Sequence, residues 1–335
     1  MGYLLGESVQ LGVGQEAVRG TGVTPTAWLP ARTPSGIRVV VDKVLVQETR
    51  ASRITSQGSE ITQKRVEGDV EFNIKNNSIV HFLKSLLGTV TSGLAGGESA
   101  VWEHVVTVEL NDPQNPSLTL ALAKPSFQDY RYDLVVPSSL EIATPVDDLV
   151  TGTMEFVGKD ESTVADYTPS FDADDYYFRN HDVTIKLASD VAGLAGAQAL
   201  KVKEFSLSIA NNARVNQNIS DYNPSDVLGM LIEITGSMKI DYEDETHHDT
   251  YVAGTYQAMQ ISMVRTDVTI GVASNPEITV VLPKVSFESL EQDRPIDDIL
   301  ADGIEFTAHY DTTEAKAIEI TVVNEVEDYD AVIGS

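Results

Sequence analysis

Apolar and polar residues alternate through much of this chain with the period of two that a β-strand imposes. The alternation is cleanest from Val66 to Ile74. Val66, Gly68, Val70, Phe72 and Ile74 share one face, and Glu67, Asp69, Glu71 and Asn73 the other. That predicts a half-buried strand with an acidic outer face. Residues 37–48 (IRVVVDKVLVQE) predict a strand, and the polar, uneven residues 49–65 a long loop. The period then changes. Within Asn76 to Gly88, Ile79, Phe82, Leu83, Leu86 and Leu87 fall on one helical face, with Asn77 or Ser78 as N-cap and Gly88 as the stop. Val105–Leu110 with Ser117–Ala123, and Arg265–Val272 with Glu277–Leu282, predict two antiparallel hairpins.

The pattern occurs twice. Asn115–Phe127 (NPSLTLALAKPSF) and Asn275–Phe287 (NPEITVVLPKVSF) agree at seven of thirteen positions, where composition predicts roughly one by chance. Their offset is 160 (275 − 115). Pro145–Phe156 matches Pro295–Phe306 at an offset of 150, sharing the Pro, both Asp, the Glu and the Phe. Val66–Ile74 aligns with Ile234–Tyr242 at an offset of 168, and further upstream Val44 and Val46 align with Leu207 and Ile209. The counterpart of the helix, around residues 243–254, is shorter and more polar. The expected organisation is an extended arm (1–36), a first domain (37–160), an acidic aromatic linker (161–181), a second domain (182–326) and a short tail (327–335). Each domain is about six short antiparallel strands with one short helix. The fold class is mainly β, two tandem copies of a β-sandwich or open barrel. The arm has little periodicity, but Leu4, Leu5, Val9, Leu11, Trp28 and Leu29 suit packing against a neighbouring subunit.

Composition narrows the function. The formal charge of −28 repels phosphate backbones. A solvated acidic surface, as in a salty habitat, and a passage through which nucleic acid slides without sticking both fit. With no cysteine there is no disulfide framework, thiolate metal site or Cys nucleophile. No apolar run is long enough to cross a bilayer, and no basic region followed by an apolar core opens the chain, so neither a membrane span nor a secretory leader is expected. The GxxxxGK, GxSxG and HExxH motifs are absent. His247, His248 and Asp249 imitate a metal cluster, but adjacent helical residues point apart, so a polar face is the better reading. Asp147–Asp148 and Asp297–Asp298 recur in both copies after a Pro, which fits turn capping better than catalysis or calcium. Tyr176, Tyr177 and Phe178 read as core or interface aromatics. No catalytic residue, metal or cofactor is assigned.

The order of these segments resembles the tail tube proteins of long-tailed bacteriophages, in the subgroup with an internally duplicated tube domain. The carriers are GVGQEAVRGTGVTPTAWLP, with a Gly-x-Glu element before a Gly-Thr and a Thr-Pro; KVKEFSLSIANNARV (Lys201–Val215); the strand opening at Gly236; the acidic helix region ending at Gly254; and TVVLPKVSF. The first copy departs, with Glu48-Thr49 in place of Asn-Asn and a longer helix. The resemblance implies a structural virion protein, assembled in the host cytoplasm and located in the tail. Three chains would close a pseudo-six-fold ring. Rings would stack into a tube that holds the tape-measure protein and later conducts DNA without binding it specifically. Tail terminator and baseplate proteins would be its other partners. Glu67, Asp69 and Glu71 are the candidate lumen-facing carboxylates. Leu4, Leu5, Leu11, Trp28, Leu29, Arg50, Arg53 and Arg214, on the arm and on the loops 47–65 and 211–231, are the candidate inter-ring contacts. The alternatives are another tail component on the same fold, a terminator or baseplate hub, or an acidic extracellular β-module binding calcium or glycan.

Overall fold

In a computed structural model of the chain, residues 5–33, 36–50, 53–293 and 299–329 are described. The first half contains β1 (Gln10–Gln15), β2 (Ala27–Leu29), β3 (Ala31–Thr33), β4 (Arg38–Gln47), β5 (Ser56–Asn73), α1 (Ile79–Leu87), β6 (Gly88–Leu94), β7 (Trp102–Val108), β8 (Leu118–Ala123), β9 (Asp129–Thr144) and β10 (Thr151–Gly158). Next come β11 (Asp160–Val164) and β12 (Val183–Ala188). The second half contains β13 (Val202–Ala210), β14 (Arg214–Asn216), β15 (Asp226–Leu228), β16 (Glu233–Asp241), α2 (Thr246–Ala253), β17 (Gln257–Val264), β18 (Glu277–Asp293), β19 (Ala301–Ala308) and β20 (Glu319–Asn324). Both helices are short, so the fold is mainly β.

One antiparallel sheet runs through both halves in the order β4–β5–β10–β9–β13–β16–β19–β18. β3 lies beside β5 ahead of β4. Two further sheets flank it: β2–β1–β8–β9–β11 and β12–β17–β18–β20–β7–β6. β9 and β18 serve two sheets each, which explains their length. β9 crosses from β8 and β11 to β10 and β13 near Leu134, whose φ of +54° is a left-handed conformation uncommon for a branched side chain. The main core gathers apolar side chains from all three sheets and α1, among them Leu11, Val70, Phe82, Phe156, Ile209, Phe306 and Val322.

The two halves of the long sheet share a register. Gly68 lies opposite Phe156 and Gly236 opposite Phe306. One residue bulges at the same place in each: Phe156 faces Pro137 and Glu155 faces Ser139, while Phe306 faces Phe287 and Glu305 faces Ser289. A side chain at Gly236 would collide with the Phe306 ring, so the glycine is needed where the ring crosses the strand.

Several local expectations are corrected. Residues 56–65 continue β5 and pair with β4, making a long exposed hairpin. Neither face of its tip is covered within the chain, so no burial period marks it. The two expected Asn-Pro hairpins do not form. β7 pairs with β6 and β20, β8 pairs with β1 and β9, and the partner of β18 ahead of its loop is β17, not residues 265–272. Propensity marks strands, but non-local contacts choose their partners. Neither Asn77 nor Ser78 caps α1 with its side chain. The Asp175 carboxylate does so from the linker, accepting from the Asn77 and Ser78 N–H groups at 2.8 and 3.4 Å. Register also aligns Ile37 and Val39, rather than Val44 and Val46, with Leu207 and Ile209. Glu67 and Thr235 are equivalent positions, and they face Arg38 and Ser208 respectively.

Candidate functional site

The long sheet has one covered face and one open one. Along each of the six strands between the two edges, alternate residues enter the core: Val66, Val70 and Phe72 on β5; Met154 and Phe156 on β10; Leu140 and Ile142 on β9; Phe205, Leu207 and Ile209 on β13; Met238 and Ile240 on β16; Ile304 and Phe306 on β19. The intervening residues therefore share the opposite face. They are Glu67, Asp69 and Glu71; Thr153 and Glu155; Ser139 and Glu141; Ser206 and Ser208; Thr235, Ser237 and Lys239; Gly303 and Glu305; and Ser289, Glu291 and Asp293. Beyond Arg32, Arg38 and Arg65 near its first edge, the residues named on this face are carboxylates and hydroxyls, with Gly303 and Lys239. Lys239 is held by Asp293 at 2.9 Å.

Hydroxyls tie the carboxylates down. Ser139 Oγ donates to Glu155 Oε2 at 3.0 Å, and Ser289 Oγ donates to Glu305 Oε2, also at 3.0 Å. Ser206 and Ser237 share a hydrogen bond at 2.9 Å. In its second half the face is concave, with a depression of about 640 Å³ lined by Ser206, Ser237, Lys239, Ser289, Glu291 and Glu305. Like charges on neighbouring strands repel one another, and water on the open face screens them. A polyanion approaching this surface would meet fixed negative charge and few donors.

The three acidic residues expected from the sequence all lie on this face. Asp69 is exposed, opposite Glu155. Glu71 is 3.6 Å from Arg32, which also reaches Asp148 at 3.6 Å. Glu67 and Asp42 both bind Arg65, and the hydrogen bond to Glu67 is the main cause of that guanidinium's raised pKa. Periodicity in one strand missed the rest of the face. Glu155 and Glu305 were visible as the shared Glu of the MEF and IEF segments; Glu141, Glu291 and Asp293 carried no such signal.

The candidate inter-ring residues separate into two groups. Leu11, Trp28 and Leu29 are buried in the chain's own fold, because β1 pairs with β8 over its whole length and β2 folds back upon it. Trp28 meets Tyr167 edge-on, with ring centroids 5.7 Å apart. The arm expected to lie on a neighbour thus supplies two strands of its own sheet. Leu5, Arg50, Arg53 and Arg214 are exposed, Arg50 beside Glu48; Leu4 lies outside the described residues. The loop 211–231 folds back over the first half. Ala213 and Val227 pack on Leu134 and Val136, and Asp226 binds Arg19 at 2.7 Å. Its tip leaves Ile219 and Tyr222 exposed, and Leu231 is exposed at its base.

One buried carboxylate escaped the sequence reading. Glu16, in the Gly-x-Glu element of the arm, accepts from Gly20 N–H (2.7 Å), Thr119 Oγ1 (3.1 Å), Leu134 N–H (2.8 Å) and the Ser117 hydroxyl. It joins the arm to β8 and to the bend of β9. His247 lies beside the Phe287 ring, and His248 beside Glu245 and Asp249. Asp148 accepts from Leu149 N–H, a turn-capping contact, and Asp297 and Asp298 lie outside the described residues.

No curated protein matches the chain. A family model described as phage tail tube protein matches residues 6–308.

Proposed function

The chain belongs to the phage tail tube protein family, and on that premise we propose that it is the major tube subunit, its two halves acting as consecutive staves of one hollow cylinder. The protein is a structural component of the virion tail. In the proposed assembly three copies form a pseudo-six-fold ring, each giving all the strands of its long sheet to a continuous inner wall. Rings stack into the tube. The tape-measure protein fills the bore first, and DNA passes later. Tail terminator and baseplate proteins would cap its ends.

The observation that carries this reading is the open acidic face of the long sheet. A monomer gains little from one unbroken polar face that spans both halves. As the wall of a bore it repels phosphate along the whole path, so DNA slides instead of adhering. The exposed β4–β5 hairpin, with Val44, Leu45 and Ile54 in solvent, is the element best placed to meet another ring, together with Leu5, Arg50, Arg53 and the tip of the 211–231 loop.

Electron microscopy of the purified protein tests the proposal. Long hollow fibres support a tube subunit. Assembly that stops at a single ring supports a terminator or hub, and a persistent monomer at high concentration contradicts both.

A further inference from the structure

The long sheet ends in two open edges. Among the described residues β4 is paired only with β5, and beyond Phe287 β18 is paired only with β19. The chain also contains a closed version of the same junction. Residues Ser139–Thr144 of β9 pair antiparallel with β13 and so join the first half to the second. Its edges are the counterparts of the open ones. Glu155 and Glu305, equivalent positions in the two halves, face Ser139 and Ser289. Glu67 and Thr235, likewise equivalent, face Arg38 and Ser208.

We propose that neighbouring copies join edge to edge in the register of this internal junction, with Ser289–Asp293 of one copy pairing antiparallel to Gly36–Val40 of the next. This rests on the tube reading and specifies its contact. Within the chain, Ser139 faces Ala210, Leu140 faces Ile209, Glu141 faces Ser208 and Ile142 faces Leu207. Transferred through the equivalent positions, Ser289 meets Val40, Leu290 meets Val39, Glu291 meets Arg38 and Gln292 meets Ile37. The contact is head to tail, so repetition closes a ring and removes the free edges.

Two independent observations support the register. Leu140 and Ile209 are fully buried where their junction is closed, whereas their counterparts Leu290 and Val39 pack on the core yet stay only half-buried. A paired strand would finish covering them. At the adjacent position Arg38 and Glu291 are both exposed, and neither forms an ion pair with another described residue of the chain. They are opposite in charge and land directly opposite in space. The internal junction has an uncharged Ser208 where the open edge has Arg38. Backbone hydrogen bonds would supply affinity at every junction, while this charge pair marks the junction between copies and fixes its register.

Charge reversal tests it. Arg38→Glu places like charges across the junction, as does Glu291→Arg placed against Arg38. Each is expected to raise the protein concentration needed for tube assembly roughly tenfold at low salt. The double variant Arg38→Glu/Glu291→Arg restores assembly to near the wild-type concentration. Circular dichroism checks that each variant is folded. A second readout is gentler: Arg38→Lys, treated with a carbodiimide in the assembled state, gives a chain-to-chain amide between positions 38 and 291 detectable by mass spectrometry. Single reversals that assemble like the wild type, a double variant that fails to recover, or assembled protein without the 38–291 link would overturn the register while leaving the tube standing. Wild-type protein that never assembles would remove the tube reading itself.

Discussion

Glu16 offers a quantitative test of how the arm is built into the fold. Its carboxylate is buried and takes four hydrogen bonds, from Gly20, Ser117, Thr119 and Leu134. In Glu16→Ala the two hydroxyls can turn toward other acceptors, but the Gly20 and Leu134 N–H groups cannot. An orphaned buried N–H costs about 1–3 kcal/mol, so two of them, with the small cavity left behind, give about 3 kcal/mol. The Leu134 N–H matters most, because that residue holds a positive φ where β9 changes sheets, a conformation that persists only when its surroundings enforce it. Glu16→Gln keeps one oxygen acceptor and is expected to lose roughly half as much, about 1–2 kcal/mol. Equilibrium urea unfolding followed by tryptophan fluorescence measures both, since Trp28 lies in the arm's own sheet. An alanine variant within about 1 kcal/mol of wild type, or alanine and glutamine variants of equal stability, would show that the carboxylate does not hold this junction.

Three further outcomes are expected. Gly236→Ala drives a methyl into the Phe306 ring and the Ser206 carbonyl, and overpacking of that kind costs about 1–3 kcal/mol, read as a lower urea midpoint at unchanged slope. Burial, with the nearby Lys84 charge as the lesser cause, lowers the His81 pKa to about 4. The unfolded chain, with a histidine pKa of about 6.5, therefore takes up the proton first. This residue's contribution is complete above about pH 6.5 and drains as pH falls toward 4, by roughly 3 kcal/mol in all; stability measured across that range should lose much of its slope in His81→Gln. Replacing Glu141, Glu155 and Glu305 together by lysine removes most of the negative charge of the open sheet face, and assembled tubes of that variant should retain more labelled DNA at low salt than wild-type tubes and release it as salt rises.

The fold was legible where one strand carries its own signal. The half-buried β5, the apolar face of α1 and the stops at Gly88 and Gly254 all follow from local pattern, as does the mainly β class. What local pattern lacks is the identity of the neighbour across a ladder. Ser117–Ala123 is apolar on both faces because it is covered on both, so it offered no register, and its partner β1 lies far upstream in the chain. The arm read as irregular because Gly12, Gly14 and Pro25 interrupt a hydrophobic run that is nonetheless buried. The acidic face was legible only in part, since Glu67, Asp69 and Glu71 alternate within one strand. Glu141, Glu155, Glu291 and Glu305 join them through pairings that no single segment encodes.

The central claim is that the acidic side of the long sheet faces inward in a tube of three-chain rings. A cryo-electron microscopy reconstruction of the assembled protein tests it most directly. The account predicts a bore lined by Glu141, Glu155 and Glu305 of every subunit, with six sheet units per ring. A reconstruction with those carboxylates on the outer surface, or with each chain's long sheet sealed off from its neighbours, would contradict it.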